Sequence, residues 1–420
     1  DGKFDGVGEL SQANDDGWAT SAAFFDFNND GLLDLYVCNY GKWSFATARF
    51  CGNREKKVRL YCDPTTIEPQ EDAFFENLGD GSFADALVKV NLNSHNGRGQ
   101  GIVAADLNLD GAIDIYLGND IQANFLFMNR DGRFEDVSEL SGVSYDYQGG
   151  MQAGMGVNVA DVDEDDRPDL FVTNFQREHN AFYHNIGDGL FMEVAHRRGL
   201  AAASLPWVGW GNAFADFDLD GWLDLIVTNG HVDDNRHLLG ETTPYAEPTL
   251  LWRNVKGQFI PVQSQAGSFF SESHVGRGLI EVDLDNDGDQ DVVITHIDGR
   301  PGLLRNNRVQ ASSSPPPRTL LRLVGRLANR DSIGARIEWF DGQQMRHRQI
   351  RGGGSYLSAP DLRQVVTHTE HGRPLQITIH WPGDTNTQVI DLVAGKSYTV
   401  VQPDHEGGIA SQVVFQDLVP

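Results

Sequence analysis

Asp216-Phe217-Asp218-Leu219-Asp220-Gly221-Trp222-Leu223-Asp224 carries carboxylates at positions 1, 3, 5 and 9 of a nine-residue stretch, with glycine at position 6. The pattern recurs at Asp26-Phe27-Asn28-Asn29-Asp30-Gly31-Leu32-Leu33-Asp34 and at Asp106-Leu107-Asn108-Leu109-Asp110-Gly111-Ala112-Ile113-Asp114. It recurs again at Asp161-Val162-Asp163-Glu164-Asp165-Asp166-Arg167-Pro168-Asp169 and at Asp283-Leu284-Asp285-Asn286-Asp287-Gly288-Asp289-Gln290-Asp291. The first aspartates are about 80, 55, 55 and 67 residues apart. Repetition on that scale is the sequence signature of stacked or radial repeat architectures.

The flanks repeat as well. A small, glycine-rich apolar strand precedes each loop, as in Gly156-Val157-Asn158-Val159-Ala160, and an aliphatic strand overlaps its end, as in Asp224-Leu225-Ile226-Val227. A third short strand follows, such as Phe125-Leu126-Phe127-Met128-Asn129. A glycine turn then leads to a strand carrying Phe83, Phe134, Phe191 or Phe259. In three copies the turn is Asp-Gly (Asp80-Gly81, Asp131-Gly132, Asp188-Gly189), favoured in tight hairpins because both central residues need φ > 0. Four antiparallel strands per repeat make one blade of a β-propeller. The fifth repeat lacks a fourth strand after Leu303-Leu304-Arg305-Asn306, and Asp1-Gly2-Lys3-Phe4 reads as an orphan fourth strand. That fragment either completes the last blade or is the remnant of a clipped extra blade.

Calcium takes six to eight oxygens, and carboxylates at 1, 3, 5 and 9 with a carbonyl at 7 supply them from one tight loop. Glycine at position 6 permits the reversal that returns position 9 to the metal. The expected ligands are Asp26, Asn28, Asp30 and Asp34; Asp106, Asn108, Asp110 and Asp114; Asp161, Asp163, Asp165 and Asp169; Asp216, Asp218, Asp220 and Asp224; Asp283, Asp285, Asp287 and Asp291. Asn28 and Asn108 lower the ligand charge. Asp166 replaces the glycine, and aspartate tolerates left-handed geometry better than most residues. One such loop could be a plain Asp-rich turn, but five at matched positions between strands point to about five Ca²⁺ ions.

The formal charge is -27. From Arg318 to Pro420 acids and bases nearly cancel, so the acid sits in the first three-quarters of the chain. Such a surface repels nucleic acid and anionic lipid and suits divalent cations. An apolar run of about 18 residues is missing, which excludes a spanning helix and membrane insertion through one. The chain starts at Asp1 without methionine and reads as a processed or trimmed form. Cys51 and Cys62 lie in a polar, basic insertion where a disulfide would close a short loop, worth roughly 3 kcal/mol. Cys38 falls in an apolar strand as a buried thiol. A disulfide implies an oxidising compartment, so the protein is expected to be secreted, periplasmic or at the cell surface.

Three regions follow: a propeller over 1–310, a Ser/Pro linker over 311–317 and a small β-sandwich-like domain over 318–420. Within the last, Arg351-Gly352-Gly353-Gly354 reads as a turn. Gly395-Lys396-Ser397 is no phosphate loop, because Ile390 stands where the leading glycine belongs. Neither HExxH nor GxSxG occurs.

The repeats resemble the FG-GAP/VCBS repeats of integrin-α-like propellers. Asn329-Arg330-Asp331-Ser332-Ile333-Gly334-Ala335-Arg336, Arg351 to Ser358 and Ile379-His380-Trp381-Pro382 resemble the ASPIC/UnbV domain. With Tyr61-Cys62-Asp63-Pro64 and Asn229-Gly230-His231-Val232, the combination resembles the cartilage acidic protein family and its bacterial relatives. The resemblance implies seven blades, calcium in the blade loops and export, although only five calcium loops are present. It implies architecture rather than one activity.

The segments entering each repeat's first strand should face the central funnel. They place Arg98, Gln100, Gln152, Met155, Trp207, Trp210, His274 and Arg277 near it, and His231 follows a second strand. Axial packing is the plainer reading of these residues. The leading functional expectation is an exported calcium-stabilised scaffold presenting its loop face to a protein or glycan. The alternative is an enzyme using Arg98, Gln152, Trp207, Trp210, His231, His274 and Arg277, with calcium or a second metal at His231 and His274. A third is a structural subunit of a surface assembly. His179, His184 and His196 show no metal-ligand spacing.

Overall fold

The computed structural model describes residues 6–297, 299–368, 370, 372–404 and 413–418. The strand fragment expected at Asp1–Phe4 lies outside the described residues. Four blades have four antiparallel strands in sequence order. The first comprises Ala19–Phe25, Asp34–Asn39, Ala73–Asn77 and Phe83–Asp85, and the second Gly99–Ala105, Asp114–Gln122, Phe125–Arg130 and Arg133–Asp136. The third comprises Val157–Ala160, Asp169–Val172, Ala181–Gly187 and Leu190–Glu193, and the fourth Gly209–Ala215, Asp224–Asn229, Leu250–Val255 and Gln258–Pro261. The fifth sheet has three strands, Gly276–Val282, Asp291–His296 and Gly302–Leu304. Among the described residues these are the blade sheets.

Every residue of Gly99–Ala105 and of Gly209–Ala215 is buried, because each inner strand is covered on both faces by neighbouring blades. Close approach explains the small residues there. A Cβ on Gly101 would stand 2.2 Å from the Met155 carbonyl oxygen, and one on Gly156 would stand 2.2 Å from that of Trp210. Asp131-Gly132 and Asp188-Gly189 take left-handed geometry at both residues, as their hairpins require. The first blade differs. There Gly79 and Gly81 are left-handed and Asp80 is not.

The C-terminal part is a two-sheet β-structure. One sheet orders Gln364–Thr367, Arg318–Val324, Lys396–Val401 and Val413–Asp417; the other orders Met345–Gln349, Arg336–Phe340, Leu375–His380 and Thr387–Leu392. Its core of Leu321, Ile337, Trp339, Ile377 and Val400 is continuous with Phe25, Phe74, Ile102 and Ile115 of the first two blades. The two parts therefore share one hydrophobic core.

The run read as a turn, Arg351-Gly352-Gly353-Gly354, instead enters the propeller axis. Gly352 and Gly353 pair antiparallel with Ala104 and Val103. Gly354 donates to the Ile102 carbonyl at 2.8 Å. Ser355 exchanges backbone hydrogen bonds with Val157, accepts from the Asn212 N–H at 3.0 Å and donates to the Leu279 carbonyl at 2.7 Å. A Cβ on Gly352 would stand 2.3 Å from the Phe24 carbonyl oxygen. One short segment thus touches the inner strand of all five blades, and glycine is required where backbone meets backbone. Cys51 and Cys62 are joined, and Cys38 is a buried free thiol. No helix among the described residues is long and apolar enough to cross a membrane.

Candidate metal centres on the blade loops

Each acidic loop connects the first and second strands of its blade, and all five share one backbone. Position 6 is left-handed in every copy, at Gly31, Gly111, Asp166, Gly221 and Gly288, with φ of 71° at Asp166. Position 4 is left-handed too, at Asn29, Leu109, Glu164, Leu219 and Asn286. The position-6 glycine signals the first reversal. The second, on mixed residue types, leaves no compositional trace.

Within each loop the position-1 aspartate accepts the N–H of position 6, from 2.7 Å for Asp216 to 3.0 Å for Asp283. One oxygen of the position-9 aspartate accepts the N–H of an asparagine on the third strand or, in the fifth blade, two residues beyond it. The pairs are Asp34 with Asn77, Asp114 with Asn129, Asp169 with Asn185, Asp224 with Asn254 and Asp291 with Asn306, at 2.7–2.8 Å. The carboxylates are fixed by backbone before any ion arrives.

Among the described residues, three groups bring metal-ligating atoms within 4.8 Å of one another: Asp163, Asp165 and His184; Asp216, Asp218 and Asp220; Asp283, Asp285 and Asp291. Asp163 Oδ1, Asp169 Oδ2, Asp218 Oδ1, Asp283 Oδ1, Asp285 Oδ1 and Asp289 Oδ1 are buried without a hydrogen-bond partner. An unpaired buried carboxylate oxygen is costly, and a hard divalent cation is the group that such a donor set fits. In the first two loops Asn28 and Asn108 turn their amides onto Asp30 and Asp110, both at 2.9 Å. Burial is the largest cause raising the loop acids: Asp34 and Asp216 to about 7, Asp106 to about 6, Asp161 to about 8 and Asp224 to about 9. A bound cation opposes that shift by favouring the charged form.

The spacing of His184 gave no metal signal, but the fold brings it to the third loop, 3.0 Å from Asp169 Oδ1. Arginines approach the other loops from the protein's own surface. Arg253 reaches Asp218 at 2.8 Å and Asp220 at 2.7 Å, and Arg305 reaches Asp285 at 2.7 Å.

The C-terminal part also sits against all five loops. Leu327 and Gly383 approach Gly31 and Asn29 of the first, and Gly334 packs on Ile113 of the second. At the third loop Arg336 pairs with Asp166 at 2.6 Å and His347 with Asp166 at 2.9 Å, while Arg348 pairs with the buried Glu164 at 2.9 Å. Arg348 also donates to the Gly221 carbonyl of the fourth, and Arg363 to the Asp283 carbonyl of the fifth, at 2.8 Å. The loop face expected to meet a partner is instead largely an internal interface, because the near-neutral C-terminal part concentrates its guanidinium groups there.

The funnel residues divide. Arg277 lies 4.1 Å over the Trp210 ring and donates to the Gly230 and His231 carbonyls, and Tyr356 packs 4.7 Å from Trp210. His231 is fully buried; its Nδ1 accepts the Asp233 N–H at 3.0 Å, and burial pushes its pKa down to about 4. The His274 ring turns elsewhere, stacking on Phe269 at 4.2 Å and on His296 at 4.9 Å, so it does not join His231 as a metal pair. Arg98 donates to the Ile67 carbonyl and Gln152 to the His179 carbonyl, while half-buried Trp207 packs on the core between the third and fourth blades. Of the expected constellation, Arg277, Trp210 and His231 stand together, Arg98 and Gln152 both meet Gln122, and the His274 ring stacks away from His231.

The FG-GAP-like repeat matches residues 106–172 and 161–227, each match beginning at a position-1 aspartate. The ASPIC and UnbV domain matches residues 325–407. The chain carries FG-GAP-like repeats and an ASPIC/UnbV domain. Among curated relatives, cartilage acidic protein 1 of Xenopus tropicalis is 25% identical over 383 residues, covering 86% of this chain and 51% of that protein. The human protein of that name is 29% identical over 182 residues, covering 41% of this chain and 26% of that one. The chain spans about half the length of the Xenopus relative. Solved structures similar to this chain include an Agrocybe aegerita lectin that recognises non-reducing terminal N-acetylglucosamine. It is 17% identical with TM-score 0.36, over 69% of this chain and 81% of that one. The exotype rhamnogalacturonan lyase YesX is 12% identical with TM-score 0.33, over 68% and 52%.

Proposed function

We propose that this chain is an exported, calcium-loaded propeller that serves as a binding scaffold for protein or glycan partners. The observation that carries the calcium reading is the set of buried, partnerless carboxylate oxygens in the third, fourth and fifth loops. Aspartates at positions 1, 3, 5 and 9, with asparagine at position 3 of the first two loops, would hold the ions. Bound calcium would supply positive charge that offsets the mutual repulsion of these acids. The Cys51–Cys62 disulfide and the similarity to cartilage acidic protein 1 support export. Because the C-terminal part occupies the loop face, partners are assigned to the remaining surface.

Elemental analysis by inductively coupled plasma mass spectrometry tests the calcium reading. The expected result is about five calcium ions per chain, one per loop. Fewer than about three would overturn the full set of loops. Recovery of the disulfide-bonded protein from the medium or the periplasm tests export, and retention in the cytosol would overturn it. A glycan array and crosslinking of the secreted protein to its surroundings test the scaffold. Absence of any saturable partner in both would overturn that part of the reading.

A further inference from the structure

The insertion between the second and third strands of the first blade folds into a hairpin, Cys51–Asn53 paired with Val58–Leu60, and Cys51–Cys62 closes its base. Val58 is buried beneath it. The hairpin is held down at three points on the fourth blade's loop. The Tyr61 N–H donates to Asp233 at 2.9 Å, Asn235 donates to the Arg59 carbonyl at 2.7 Å, and Lys56 Nζ donates to the Leu238 carbonyl at 3.4 Å. This is a stapled, anchored element rather than a loose loop.

Its outward composition runs against the rest of the molecule. Arg49, Arg54, Lys56, Lys57 and Arg59 are exposed, and none makes an ion pair with a carboxylate among the described residues. Elsewhere in this strongly acidic chain arginines are repeatedly set against aspartates. Aromatic rings stand among these cations. The Arg54 guanidinium lies 4.8 Å over the Phe50 ring, and Tyr61 is 77% exposed. The same insertion carries Trp43, 5.0 Å from the 91% exposed Phe45 and 6.3 Å from Trp18. Opposite Arg59 stands Gly52, so no side chain screens that position. Clustered like charges and exposed rings both cost stability, and both suit a ligand with anionic groups and flat apolar faces.

We propose that this hairpin and the Trp43–Phe45 ledge bind an anionic polysaccharide. Sugar faces lie on the rings, and sulfate or carboxylate groups pair with Arg54, Lys57 and Arg59. An anionic bilayer presents a wider field of negative charge, which the -27 body of the protein opposes, and nucleic acid is distinguished by the oligo-dT control below. This inference rests on the scaffold reading and names the ligand class.

The test uses the full calcium-loaded chain and its Arg54→Glu/Arg59→Glu variant, both positions being exposed, with circular dichroism and the intact disulfide as fold controls. Heparin is the polyanionic sugar probe, dextran the neutral control and single-stranded oligo-dT the nucleic-acid control. Expected are heparin binding that weakens with salt, loss of about tenfold or more in affinity in the variant, and a separate loss in Phe45→Ser. Equal affinity in the variant, no heparin binding at roughly 50 mM salt, or tighter binding to oligo-dT than to heparin would overturn the proposal. Array signals for other glycans that the double variant leaves unchanged would overturn the hairpin site while leaving the scaffold reading in place.

Discussion

Asn129 on the third strand of the second blade donates its side-chain amide to the Phe27 carbonyl in the acidic loop of the first blade, at 2.7 Å. The relationship repeats around the ring: Asn185 to Leu107 at 2.9 Å, Asn254 to Val162 at 2.8 Å and Asn306 to Phe217 at 2.9 Å. The backbone N–H of each of these asparagines holds the position-9 aspartate of its own blade. One residue type therefore ties a blade's own acidic loop to the loop before it. Among the described residues, the Asn77 side-chain amide in the first blade donates to its own blade's Leu33 carbonyl and to no other blade.

Replacing Asn185 with leucine removes donors from the buried Leu107 and Pro168 carbonyls. The expected cost is about 1–3 kcal/mol, read as a lower urea midpoint at unchanged slope. Asn77→Leu should cost measurably less, because it severs no link between blades. Equal costs would contradict the inter-blade role.

Arg351 pairs with Glu281 at 2.9 Å, and both side chains are nearly buried at the axis. Removing one partner strands the other's charge, so Arg351→Met should cost about 3–5 kcal/mol. The Arg351→Met/Glu281→Met protein should regain much of that loss. A double-mutant cycle from denaturation curves checks the pair, and additive effects would place the two residues outside one unit.

Chelation of the calcium proposed for the loops should lower the melting temperature. A site whose free calcium is about 100-fold above its Kd contributes roughly 2.7 kcal/mol to the folded state, and this is lost in EGTA. Calorimetry with and without chelator reads the shift. A melting temperature unmoved by chelator would mean the loops gain nothing from the ion.

Asp166 keeps a left-handed backbone, φ 71°, where the other loops have glycine, and pairs with Arg336 and His347. Glycine would relieve about 1–2 kcal/mol of steric cost. It would give back about 0.4–1 kcal/mol in unfolded-chain entropy and about 0.2–1 kcal/mol per partly exposed ion pair. These nearly cancel, so Asp166→Gly should change stability by less than about 1 kcal/mol. Asp166→Ala keeps the strain and loses the pairs, so it should be the less stable of the two. The reverse order would show that unfolded-chain entropy, rather than backbone strain, decides this position.

The blades and their loops were legible because each strand and ligand position recurs in register, and repetition separates pattern from accident. The third-strand asparagines stood in plain view beside Phe74 and Phe127, yet their purpose is a contact between repeats, which no single repeat encodes. Arg351 to Ser355 occurs once, and its glycines suit a turn as well as a buried strand. Only the approach of five inner strands decides between them. His184 joined a candidate metal-ligating group by the same route, carried there by strand pairing rather than by spacing. Among the funnel candidates the direction of the His274 ring was not legible, since it is set by stacking on Phe269 and His296.

Ser355 reaches back 143 residues to Asn212, and Gly352 reaches further still to Ala104. The axis of the propeller is therefore finished by residues made after all five blades. At about 5–20 residues per second, roughly 3–10 s separate synthesis of Leu304 at the end of the fifth blade from that of Ser355. Through that interval the inner strands have no partner at the centre, and their unpaired edges are open to other chains. The segment that fills the axis therefore cannot take its place until the five blades have been made.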